Sequence, residues 1–218
     1  MRPELLVQGA LALAGAALYA WVARLVQHRS LSDEARAANA LFATWWASFA
    51  LIYAFAGAYR VAGGLGYLDL ALGVVFMNVV LVLLCVGLWG LLGYLVYLYT
   101  GSRRWFMPMG VAYALLAVAL LYLVAWMGPV GYKAGGLGAQ LQYARDLPPT
   151  VSLAVGLLLA VPIALAAILY GTLYVRVRSP EPRYRIALVA GAFLAWFGWS
   201  IVSTLLRLAQ RHPDSVAL

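Results

Sequence analysis

This chain predicts an all-α, polytopic integral membrane bundle of six transmembrane helices, with a seventh crossing left open. Three observations carry that fold class. Of its 218 residues, 66% are hydrophobic and 10% charged, whereas a soluble domain has roughly 45–50% apolar and about 25% charged residues. Apolar runs recur along the chain at spanning length, since a helix rising about 1.5 Å per residue crosses the hydrocarbon core in about 20 residues. Arginines gather in short segments between these runs, where they anchor to headgroups and set topology. Residues 1–218 read as a single transmembrane domain with helices at about 5–26, 35–59, 68–99, 105–127, 151–175 and 186–208.

The run at 68–99 is central. Its 32 residues hold one charge, Asp69 at the start, and one other strongly polar side chain, Asn78. It is longer than one crossing needs, so it tilts or passes an interface. Gly73, Gly87, Gly90 and Gly93 thin its surface for close packing, and Gly101-Ser102-Arg103-Arg104 stops it. Tyr94, Tyr97, Tyr99 and Trp105 form an expected aromatic belt at that interface.

The first helix opens with Pro3-Glu4, suited to a first turn. Its small residues Ala12, Ala16 and Ala20 share a face, as Ala50, Ala54 and Ala58 do in the second. The first run lacks the basic start, shorter core and small-residue cleavage site of a secretory signal, and reads as a retained span. Ser30 or Ser32 is the expected N-cap of the second helix. That helix ends at Arg60 and the glycine turn 63–66, where Asp69 can pair with Arg60. Pro108 sits in the first turn of the fourth helix. The polar, glycine-rich segment 128–150 follows, with a short interfacial helix expected near 139–145. Pro162 predicts a kink in the fifth helix. The most basic loop, 176–185, carries Arg176, Arg178, Arg183 and Arg185 ahead of the sixth helix.

Positive charge orients the bundle. Arg24, Arg29, Arg36, Arg103, Arg104, Arg176, Arg178, Arg183 and Arg185, nine residues, fall at one end; Arg2, Arg60, Lys133, Arg145, Arg207 and Arg211, six, fall at the other. This places the N-terminus outside and the richer face in the cytoplasm of a bacterial-type plasma membrane. Arg207 and Arg211 pull against that orientation, because six crossings leave them outside. The net charge of +8 therefore belongs to the lipid bilayer as partner and not to nucleic acid.

Catalytic chemistry has little to work with. The chain lacks His-Glu-x-x-His, Gly-x-Ser-x-Gly and Walker motifs, and no carboxylate pair lies within a span. A single cysteine, Cys85, excludes an internal disulfide, and His28 and His212 lie in polar flanks, unsuited to a bis-histidine haem. The expectation is a non-enzymatic protein without metal or cofactor.

The candidate ligand residues are polar or aromatic side chains within the spans. Trp196, Ser200, Ser203 and Arg207 recur at helical spacing and form either a pocket wall or a stripe bonded to backbone, with Arg207 reaching the headgroups. Asn78 either lines a ligand route or ties the third helix to Ser48 or Thr44. Trp45, Trp46, Phe49 and Tyr53 supply an aromatic pocket or plain packing.

Residues 42–105, ending Tyr99-Thr100-Gly101-Ser102-Arg103-Arg104-Trp105, resemble the middle of the seven-helix membrane sensor region at the N-terminus of some bacterial histidine kinases. The basic, proline-containing loop between the fifth and sixth helices is similar too. No kinase domain follows, and six helices are clear where that family has seven. The resemblance implies a receptor-like module acting through a partner. A cytoplasmic signalling protein or ATPase at the 176–185 loop, and a homo-oligomer, are the expected associations.

The leading functional expectation is a membrane module that binds a small or lipophilic ligand within the bundle. A small transporter, channel or substrate-binding transporter subunit is the alternative, and a scaffold subunit of a membrane complex the third.

Overall fold

The computed structural model describes residues 3–28, 33–67, 69–135 and 138–180, together with 183–184, 186–187, 189–191, 193–194 and 198. The chain is a multi-pass membrane protein. Five helices are long and apolar enough to cross a bilayer: α1 (Pro3–Gln27), α2 (Asp33–Leu65), α3 (Leu70–Thr100), α4 (Phe106–Met127) and α5 (Pro149–Arg176). Beyond Arg176, the described residues from 183 to 198 are helical, as expected of a sixth helix. The chain divides into two compact units, Met1–Pro148 and Pro149–Leu218.

In the first unit α1 to α4 run up and down in chain order. Gly9 and Gly57 let α1 and α2 touch backbone to backbone: a methyl on Gly9 would lie 3.0 Å from the Gly57 carbonyl oxygen and 2.7 Å from Val61 Cγ2. The buried stripe of α1 is Leu5, Gly9, Ala12, Ala16 and Ala23. Ala20, expected in it, is exposed, because the contact face turns with α1's path across α2. On α2 the stripe likewise shifts, with Ala43, Ala50 and Gly57 buried and Ala58 exposed.

Helix α2 continues through Arg60 and Gly63-Gly64 to Leu65, six residues past its expected end, since its C-terminal turns pack on α1 and α3. Asp69 does not form the expected clasp with Arg60. Its carboxylate caps α3, accepting from the Leu72 amide at 2.6 Å, which satisfies a first-turn donor. Gly101 and Gly128, at φ +62° and +63°, close α3 and α4 in the left-handed region that side chains resist. The serines expected to cap α2 lie outside the described residues.

The segment 139–145 is not helical. Strand β1 (Pro129–Gly135) pairs antiparallel with β2 (Gly138–Tyr143), with a register irregularity between Pro129 and Gly131. Gly135 and Gly138 form the last pair of the ladder, and alternation of polar and apolar residues over 140–143 has the period of a strand. Two bonds clamp the hairpin's base to α4: Ala144 N to the Gly128 carbonyl at 2.8 Å and Arg145 N to the Met127 carbonyl at 3.0 Å. The Arg145 guanidinium sits 5.5 Å from the Trp126 ring centre. Leu141 leans on α3 at Gly73, where Tyr59 also packs, and burial pushes the Tyr143 phenol above its ordinary pKa.

Exposed aromatic side chains mark both ends of this unit: Trp21, Tyr99 and Trp105 at the arginine-bearing end, Tyr67, Tyr122 and Trp126 at the other. Helix α4 between them has 22 residues, about 33 Å, matching the hydrocarbon core. Tyr94 and Tyr97 do not join the belt. Tyr94 stacks on Phe42 at 4.5 Å, and Tyr97 turns to Phe106 at 6.2 Å.

In the second unit α5 starts at Pro149, with proline tolerated in the first turn, and continues through the buried Pro162. Tyr170 stacks on Phe193 at 5.8 Å, and the Arg183 guanidinium lies 4.4 Å from the Tyr174 ring centre.

A candidate ligand groove between α3 and α4

The two sides of α3 differ. Toward α2, Gly90 faces bare backbone: a methyl there would sit 2.5 Å from the Leu41 carbonyl oxygen. Gly87 meets Ser48 and Trp45, and Gly93 meets Leu41. Toward α4, residues Asn78, Val82, Cys85 and Trp89 follow at spacings of four, three and four, which places them on the opposite face of the helix.

An open groove of about 590 Å³ runs along that second face. Its α3 wall is Val82, Cys85, Val86 and Trp89; its α4 wall is Met107, Gly110, Val111, Tyr113, Ala114, Ala117, Val118 and Leu121. The lining is almost wholly apolar. Trp89 explains why the groove exists. Its indole Nε1 donates to the Phe106 carbonyl at 3.0 Å, and the ring fits a notch at Gly110, where a methyl would meet it at 3.2 Å. Below this wedge, Cys85, Ala114 and Ala117 are too small to fill the space between two helix axes held apart. Pockets that take drug-sized ligands are about 300–1,000 Å³ and mainly apolar, so the groove has the size and chemistry for a lipophilic molecule.

None of the described residues expected from the sequence to form a site lines this groove. Asn78 is one turn beyond Val82 on the groove-facing side of α3, and its Oδ1 is buried without a hydrogen-bond partner among the described residues. It does not tie α3 to α2. Ser48 packs at Gly87, nine residues along and on the opposite face, and Thr44 Oγ1 donates to the Ala40 carbonyl at 2.8 Å within its own helix.

Trp45 and Tyr53 are brought into aromatic packing. Trp45 is 2% exposed and packs on Phe49 at 4.4 Å between ring centres. Tyr53 meets Tyr19 at 5.1 Å, Tyr19 stacks on Trp46 at 5.7 Å, and Phe42 links Trp46 to Tyr94. These rings bridge α1, α2 and α3 and do not border the groove. Trp196, Ser200, Ser203 and Arg207 lie outside the described residues.

Sequence reasoning missed Trp89, Cys85, Tyr113 and the small residues of α4. The spacing of Gly110, Ala114 and Ala117 was readable, but in helices apolar all round it does not tell a groove from a contact. Among the described residues, no three of His, Cys, Asp and Glu cluster as metal ligands. Compared with known proteins, the chain matches no family model, no curated protein and no solved structure.

Proposed function

We propose that this protein is a non-enzymatic, receptor-like membrane module that takes a lipophilic ligand into the groove between α3 and α4. The observation that carries the reading is the groove itself, held open by Trp89 and lined by small and apolar side chains. The resemblance of residues 42–105 to kinase sensor regions fits a module that passes a change in helix packing to a partner. On this reading the arginine-bearing end faces the cytoplasm, and the loop carrying Arg176, Arg178, Arg183 and Arg185 offers the partner contact.

Trp89 supplies a direct test. Titrating the detergent-solubilised protein with a neutral brominated long-chain alcohol should quench tryptophan fluorescence saturably. The saturable component should vanish in Trp89→Phe and shrink in Ala114→Phe and Val118→Phe. Quenching that rises linearly with alcohol and ignores all three substitutions reflects partition into the micelle alone, and removes the groove as a site.

A further inference from the structure

The groove does not end in apolar surroundings. Its rim at one end is Trp89 and Met107, and Met107 stands three residues after Arg104. Arg103 and Arg104 are both exposed. Arg104 donates from Nε to Ser102 Oγ at 3.1 Å, and its backbone amide donates to the same oxygen at 3.4 Å. This small turn orders the Arg104 side chain three residues before the groove's Met107, with its terminal nitrogens making no hydrogen bond among the described residues. The chain has no Asp or Glu between Asp69 and Asp146, so neither wall of the groove brings a carboxylate to this end.

The groove's length fits a ligand anchored there. From Met107 to Leu121 it follows α4 for about 21 Å, longer than the roughly 15 Å depth of one leaflet's hydrocarbon. A molecule with its polar end at Arg103 and Arg104 therefore has room for a full chain inside.

We propose that the occupant is an anionic glycerophospholipid of the arginine-side leaflet, with an acyl chain in the groove and its phosphate held by Arg103 and Arg104. The proposal rests on reading the groove as a lipophile site. It narrows the ligand from any apolar molecule to one whose headgroup carries negative charge, because two adjacent arginines beside walls that carry no carboxylate attract phosphate and can bond it through guanidinium forks.

Competition between two lipids tests it. The detergent-solubilised chain is given equal amounts of phosphatidylglycerol and phosphatidylcholine with identical acyl chains, and retained lipids are counted by native mass spectrometry. Phosphatidylglycerol should be preferred, and Arg103→Gln and Arg104→Gln should each reduce that preference about five-fold. Ala114→Phe and Val118→Phe, both at exposed positions on the groove wall, should lower retention of both lipids. A wild-type protein without preference, or one whose preference survives the double arginine substitution, overturns the anionic site and leaves the groove standing. Retention of both lipids unchanged by the two groove substitutions overturns the groove, and the proposed function with it.

Discussion

Helix α3 is packed tightly on one side and loosely on the other, and the contrast follows from what lines each contact. Toward α2 Gly90 lies against main chain, Gly87 and Gly93 against side chains of α2, and Leu88 and Leu91 are wholly buried. Toward α4 it offers Val82, Cys85 and Val86 to alanines, with Trp89 as the spacer. In water, apolar collapse closes such a gap. In a bilayer the lipid tails are as apolar as leucine, so close packing and hydrogen bonds must draw helices together. The α2 contact has the packing, while among the described residues the α4 contact has one indole bond, the Tyr97–Phe106 ring contact and a hairpin clamp. A groove can therefore persist in lipid at little cost.

The largest test of that contrast is Gly90→Ala. Its methyl would fall 2.5 Å from the Leu41 carbonyl oxygen, and main chain cannot move aside as a side chain does. Overpacking of this kind costs about 3 kcal/mol, and thermal unfolding in detergent should show it. Gly110→Ala places its methyl 3.2 Å from the Trp89 indole, which can shift a few tenths of an ångström into the groove. Its cost should stay near or below about 1 kcal/mol. Equal losses for the two alanines would contradict the difference between the two faces.

Trp89→Phe comes next. It removes the indole donor from the Phe106 carbonyl while leaving an aromatic wedge. A hydrogen bond of this sort contributes about 1 kcal/mol. Hydrogen exchange should accelerate in the first turns of α4 while α2 keeps its protection. Acceleration spread evenly over both helices would mean that Trp89 supports the whole unit and not the α3–α4 contact.

How much of this was legible depends on which physical signal each feature leaves. Spanning runs announce themselves through length and hydropathy, so α1, α3, α4 and α5 were placed within about two residues of their observed ends. Helix α2 overran because Gly63-Gly64 reads as a turn by local propensity, and tertiary packing overrode it. The hairpin was misread for the opposite reason: the segment 139–145 is too short for periodicity to separate helix from strand, and the glycines at 135 and 138 were the better signal. The glycines of α3 were rightly expected to thin its surface. What the chain could not reveal was which face of an evenly apolar helix meets protein and which meets lipid, and that choice decides between groove and contact.

Asn78 turns this point into a smaller test. Its Oδ1 is buried with no partner among the described residues, and such an atom costs its desolvation without recovering a bond. Asn78→Leu, of similar size, should leave thermal stability unchanged or raise it by up to about 1 kcal/mol. A clear loss would show that the amide joins helices after all, and would move the polar centre of the bundle from the groove side to a structural contact.

The smallest expected stability effect belongs to Val118→Phe, and it separates binding from folding most cleanly. Val118 is exposed on the α4 wall of the groove, so a larger ring there can occupy the open space without displacing a packed neighbour. Exposed substitutions of this kind stay within about 0.5 kcal/mol of wild type. Binding should respond differently, because the phenyl ring takes the volume the ligand needs, about one turn short of Leu121 at the far end of the groove. Unfolding temperature unchanged and saturable quenching at Trp89 reduced is the pattern of an open site in a settled fold. A drop in both together would mean that α4 at Val118 is already held against a protein surface, and the loose face of α3 would then be a contact awaiting its other half.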